Sequence, residues 1–213
     1  MLGVLHVKKI KENSSGVISL EASITLPIFI LTVMFFYGLI VVFLGQNIVA
    51  HSLIQSANSL SLDPFSMERV ERNVIEDLYD GGIEDSGNLI EALYGSFYNR
   101  TGYFAATERW YESDDGAKLQ ETVKKRFIAY IAGSASNGRK LSATEINKIA
   151  DEKLEYAGIV DGIEGMDFSG TSIEGDILTI NVKYEQSFVY DFNGLATIPR
   201  EQSIKVRLWD IGD

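Results

Sequence analysis

The chain has no cysteine, two histidines, three prolines and two tryptophans among its 213 residues. Without cysteine there is no disulfide and no thiolate metal site. His6 and His51 leave little material for a zinc centre or a histidine general base. Basic residues are outnumbered, 19 against 30 acids, for a net charge of −11. The basic footprint that nucleic-acid binding needs is therefore missing, and no nucleic-acid partner is expected. The sharpest absence is local. From Ala22 to Leu62 there is no Asp, Glu, Lys or Arg.

What fills that interval is apolar. Ile24 to Leu44 is interrupted only by Thr25, Pro27, Thr32, Tyr37 and Gly38. At ~1.5 Å rise per residue such a helix spans ~30 Å, the thickness of a bilayer core. Lys8, Lys9 and Lys11 precede it, while all but two of the acids follow Gly45. The positive-inside rule then places the N-terminus in the cytoplasm and the acidic bulk outside the cell membrane, as a single-pass topology. A basic start and an apolar run also describe a secretory signal peptide, with a small-residue cut near Val49–Ala50 and a mature chain starting near His51. That h-region is usually 7–15 residues, shorter than this one.

The helical pattern continues past the span. Val49, Leu53, Ala57 and Leu60 fall on one face, with Gln46, Asn47, Gln55, Ser56, Asn58 and Ser59 filling the remainder. One long helix is expected from about Ile18 to Ser61. Pro27, inside it, frees the Ser23 carbonyl and is the expected kink; the Ser23 or Thr25 hydroxyl can soften that cost. Asp63-Pro64 reads as a new N-cap followed by proline at the first helical position.

The stretch "GVISLEASITLP", Gly16 to Pro27, carries a resemblance. A basic leader ending in Gly16, with Glu21 five residues on at the edge of an apolar helix, is similar to the type IV prepilin signal. The finer pattern, with Pro27 six residues after the glutamate, resembles TadE-like minor pilins and pseudopilins of the tight-adherence (Flp) pilus system. The tail, "VKYEQSFVYDF" and then "IPREQSIKVRLWDIG", resembles the strand-rich ending with an Arg-x-Trp (Arg207, Trp209) of some members. Two residues depart from the major subunit. Val17 stands where major pilins usually have phenylalanine, and Ala22 stands where the major Flp pilin has tyrosine; a minor role fits better.

The resemblance implies cleavage by a prepilin peptidase between Gly16 and Val17, and a non-enzymatic role in pilus assembly and cell adhesion. It also implies partners: a secretion ATPase and its membrane platform, the major Flp-type pilin or other minor pilins, and the membrane. Glu21 would pair with the new amine of Val17 when helices bundle, because an unpaired buried ammonium costs several kcal/mol. Against this stands Glu21 as an edge carboxylate with no partner. Three parts are thus expected: a leader at 1–16, a helix at 17–62 spanning the membrane at about 24–44, and an extracytoplasmic α+β domain at 63–213. Two rivals remain: an unprocessed single-pass surface-binding protein, and a secreted enzyme with a cleaved signal peptide.

The C-terminal part reads as helices followed by an antiparallel sheet. Met67, Val70, Val74 and Leu78 mark one helical stripe; Leu119, Val123, Phe127 and Ile131 mark another, ending near Gly133. Ser142-x-x-Glu145 is a capping box for a third, closing at Gly158. A long strand is expected over Ile177–Tyr190, preceded by a turn at Gly175-Asp176. Ile204, Val206 and Leu208 alternate with Lys205, Arg207 and Trp209 in a further strand. Asp80, Glu84 and Asp85 lack EF-hand spacing. Ser113, Asp114, Asp115 and Gly116 read as a turn and helix start. "GIEGMDFSG" lacks the lysine and context of a phosphate loop. No metal or cofactor is expected. The aromatics from Tyr94 to Tyr111 are read as core, with a subunit interface as the sharper alternative.

Overall fold

The computed structural model describes residues 14–68, 109–113, 115–133, 142–188 and 197–209. It is α+β: helices and one three-stranded antiparallel sheet. The chain divides into two compact units, Met1–Ile40 and Val41–Asp213.

Helix α1 runs from Ser14 to Ser61 without interruption. It starts four residues before the expected Ile18, because Gly16 costs a helix only about 1 kcal/mol and does not stop it. Pro27 lies inside it. In the first unit every residue from Glu21 to Val33 is exposed, Phe29 by 64% and Leu31 by 65%.

In the second unit α1 is largely enclosed. Val49, Leu53, Ala57 and Leu60 are buried, as their spacing predicts. Ser52, Ser56 and Ser59 are buried too, which corrects the placing of Ser56 and Ser59 on the polar side. Small hydroxyl residues can enter a core because they satisfy themselves locally: Ser56 Oγ donates to Ser52 O at 2.6 Å.

Helical residues 63–68 follow a one-residue turn at Leu62. Leu62, not Asp63, holds the N-cap position, since its carbonyl accepts from Ser66 N at 3.0 Å. Asp63 is displaced from that role because its carboxylate is drawn into the core. Met67 is buried; Val70, Val74 and Leu78 of the expected stripe lie outside the described residues, as do Asp80, Glu84, Asp85, Asp114 and the aromatics from Tyr94 to Phe104.

A 3-10 turn at Trp110–Glu112 leads to α2, Gly116–Ala132. Asp115 caps it by accepting from Ala117 N, and Gly133 ends it at φ 62°. Its stripe, Leu119, Val123, Phe127 and Ile131, is buried. Helix α3, Ala143–Tyr156, opens with the expected Ser142–Glu145 capping box. Lys153 of α3 reaches across to the end of α2, donating to Ile131 O at 2.8 Å and Ala132 O at 2.9 Å. A cation there satisfies carbonyls that the helix leaves without partners.

The sheet has the order β1 (Ser172–Glu174), β2 (Ile177–Ser187), β3 (Thr197–Arg207). The turn between β1 and β2 is the expected Gly175-Asp176, with Gly175 at φ 62° as a first turn residue requires in a type II′ hairpin. Alternation along β2 is stricter than the sequence suggests: Leu178, Ile180, Val182, Tyr184 and Gln186 are all buried. The strand ends at Ser187; Tyr190, its expected end, lies outside the described residues. On β3, Ile204 and Val206 face the core and Leu208 beyond it is buried. The core joins α1, α2, α3 and the inner sheet face, with Phe127 and Phe168 edge to face at 5.3 Å.

Candidate functional site

The motif residues lie on α1. Gly16 and Val17 are within its first turn, so the bond between them is helical. Glu21 is exposed and makes no ion pair among the described residues. Thr25 Oγ1 donates to Glu21 O and Thr32 Oγ1 to Ile28 O, each at 2.8 Å. These hydroxyls are thereby satisfied within the helix. The Thr25 hydroxyl, expected to soften the proline kink, goes to Glu21 O.

Two polar locks hold the second unit on its segment of α1, and neither is legible in the sequence. The first centres on Asp63, which is fully buried. Its Oδ2 accepts from Arg126 Nη2 at 2.7 Å and from Trp110 Nε1 at 3.0 Å. Arg126 Nη1 also donates to Ser59 Oγ at 2.6 Å. The end of α1, the 3-10 turn and α2 are joined through one carboxylate. Burial pushes the Asp63 carboxyl up to about 6, outweighing the opposing pull of the Arg126 charge and of the hydrogen bonds from Trp110 and Arg126. A signal existed in the form of an Arg inside an apolar helix stripe, but nothing local names its partner 63 residues away.

The second lock is Gln186, at the buried end of β2. Its Nε2 donates to Val42 O at 3.0 Å and to Ala157 O at 3.1 Å. Gln202 Nε2 likewise reaches Gln46 O at 3.4 Å and Tyr184 Oη at 2.9 Å. Gly45 makes the approach possible: a Cβ there would overlap Gln186 Nε2 and come within 2.7 Å of Ala157 O. Gly45→Ala is expected to lower stability by roughly 1–3 kcal/mol, through overpacking at a site that cannot yield. Urea unfolding of the full chain in detergent measures it; an unchanged midpoint would show that the two backbones can part without loss.

Elsewhere the outer side of the sheet carries a groove of about 450 Å³ lined in part by Asp167, Lys183, Glu185, Arg200 and Glu201. Its charges are of both signs. The Asp167 carboxyl is held below its usual range by hydrogen bonds from the Ser169 backbone and hydroxyl, which makes it a turn residue. Among the described residues no three His, Asp or Glu side chains are placed to hold a metal ion. Comparison with protein-family models, with curated proteins and with solved structures finds no match. One helix near the N-terminus is long and apolar enough to cross a membrane.

Proposed function

We propose that this chain is a membrane-anchored, TadE-like minor pilin or pseudopilin of a tight-adherence pilus. The observation that carries the reading is α1 itself. Over Glu21–Val33 it exposes apolar side chains in every direction, and from Val49 to Leu60 the same helix is built into an α+β core. Apolar all round suits lipid or a bundle of like helices; amphipathic suits the head it carries. With Gly16, Glu21 and the basic leader, this supports a precursor held in the cell membrane, its N-terminus cytoplasmic and its head outside. A prepilin peptidase would release Val17, and a secretion ATPase with its membrane platform would move the helix into a fibre with the major pilin. The role is structural and adhesive, not catalytic.

A second reading, a single-pass surface-binding protein left uncleaved, is favoured by one feature: the Gly16–Val17 bond lies in helical rather than extended backbone. N-terminal sequencing of protein from the native host separates the two. The expected result is a chain beginning at Val17, and for Gly16→Leu a longer precursor. A mature end at Met1, or near His51, would remove the pilin reading.

A further inference from the structure

The apolar run of α1 does not end where the head begins. Its last four residues, Val41–Leu44, belong to the second unit. Val41 and Val42 are buried there, while Phe43 and Leu44 are exposed. Val42 O accepts from Gln186 Nε2 at 3.0 Å. Val41 lies against Gly158, where an added Cβ would stand 3.4 Å from Val41 Cγ1 and 3.0 Å from Ser187 O. The head residues at this level are therefore Tyr156–Gly158 closing α3, Gln186–Ser187 ending β2, and Thr197–Ile198, which the register sets opposite them on β3. None of them is charged; Glu155 and Glu185, next along the chain, are exposed. The backbone of the turn is satisfied from within. Ala157 N donates to Lys153 O at 3.1 Å and Gly158 N to Glu155 O at 2.9 Å. Ala157 O accepts from Gln186 Nε2 at 3.1 Å, and Gly158 O from Ser187 N at 2.7 Å. A surface brought against lipid needs this closure. Beside it, Tyr156 is 73% exposed.

We infer that this end of the head rests in the interfacial layer of the membrane that α1 crosses, with the Tyr156 ring as its aromatic anchor. A hydrocarbon core of ~30 Å takes about 20 helical residues. A span at Ile24–Leu44 uses the whole apolar run, and Val41–Leu44 then lie at its outer margin. Head residues packed against Val41 and Val42 therefore stand at headgroup depth. Tyrosine is enriched at that depth because its ring is apolar and its hydroxyl stays wet. An uncharged surface meets lipid without stripping water from a fixed charge. The opposite end of the head differs. There Glu174 is exposed and Arg207 pairs with Asp176. Asp176 O accepts from Leu208 N, and Trp209 N donates to Ser61 O at 3.0 Å, which lies ~25 Å beyond Leu44 along a helix. Docking thus fixes which end of the head faces lipid and turns the charged end outward. The inference rests on the membrane-anchored reading and not on cleavage at Gly16 or on a pilus.

The chain has no cysteine, so a single introduced thiol carries one fluorophore. Three full-length variants are labelled with the same dye and reconstituted in phosphatidylcholine vesicles: Thr197→Cys at the base, Glu174→Cys at the opposite end and Leu31→Cys in the span. With a nitroxide on the lipid headgroup, the Thr197 label should be quenched at least about threefold more than the Glu174 label. Adding Tyr156→Ser to Thr197→Cys should cut that quenching by about half, while Tyr156→Trp, which keeps an interfacial ring, should preserve it. With a nitroxide on the acyl chain, the Leu31 label should be quenched. Equal quenching of the Thr197 and Glu174 labels, with the Leu31 label quenched, would overturn the docking and leave the membrane reading standing. So would quenching indifferent to Tyr156→Ser, which would make Tyr156 an ordinary surface residue. A Leu31 label untouched by the acyl-chain nitroxide would remove both.

Discussion

Glu21→Ala should leave a protein that is made, inserted and processed, yet missing from sheared surface fibres. The substitution removes a carboxylate from a face that is otherwise apolar and exposed. If Glu21 were only an edge residue, the change would be harmless or would ease insertion, since a charge beside lipid is lost. If it neutralises the Val17 amine among packed helices, the change strands an ammonium in an apolar bundle. Breaking such a buried pair costs ~3–5 kcal/mol, two to three orders of magnitude in assembly. Processing should persist because Gly16 is untouched. Fractionation of cells carrying the variant, with pili counted on the same cells, decides it. Normal incorporation with normal pilus number would leave Glu21 as an ordinary border residue and bring the uncleaved-anchor reading forward.

Arg126→Met should destabilise the head by ~3–5 kcal/mol at pH 8 and by clearly less at pH 5. The reason lies in Asp63, buried and accepting from Arg126 and Trp110. Its folded pKa of about 6 stands above the ordinary 3.8. The folded state therefore holds its proton more tightly than the unfolded chain does. The stability this contributes is complete below about pH 4 and is lost as pH rises through about 6, a change on the order of 3 kcal/mol. Without Arg126 the carboxyl loses the charge that draws its pKa down, so its window moves further up. A neutral Asp63 at low pH needs no cation, and the variant recovers there. Urea unfolding of the full chain in detergent, followed by tryptophan fluorescence at both pH values, measures the difference. An equal loss at the two values would mean that Arg126 acts through packing and not through the Asp63 charge. Asp63→Asn should flatten the wild-type slope across the same window.

Periodicity carried much of the secondary structure. The buried faces of α1 and α2, the Ser142–Glu145 capping box, the Gly175-Asp176 turn and the start of β2 at Ile177 are local patterns, and local patterns are what a sequence displays. The shift of the N-cap from Asp63 to Leu62 was not legible, because a nearby amide and a distant guanidinium compete for one carboxylate. Only the fold says that Arg126 is within 2.7 Å. Gln186 is similar. Its place in the alternation of β2 puts it on the inner face, yet its bonds to Val42 O and Ala157 O depend on where α1 and α3 pass. Gly45 is read from sequence as one more residue after an apolar run; it is the close approach of Gln186 that makes its missing side chain matter.

By itself the sequence determined a helix long and apolar enough for a membrane, the Gly16–Glu21–Pro27 spacing along it, and an α+β order in which helices precede strands. These follow from side-chain hydrophobicity and from the fixed repeats of helix and strand, which act between near neighbours. Tertiary structure alone decided which polar groups are buried together and which glycine lies against another backbone. Those depend on segments tens of residues apart meeting at hydrogen-bond distance, and the burial that follows is what raises the Asp63 carboxyl.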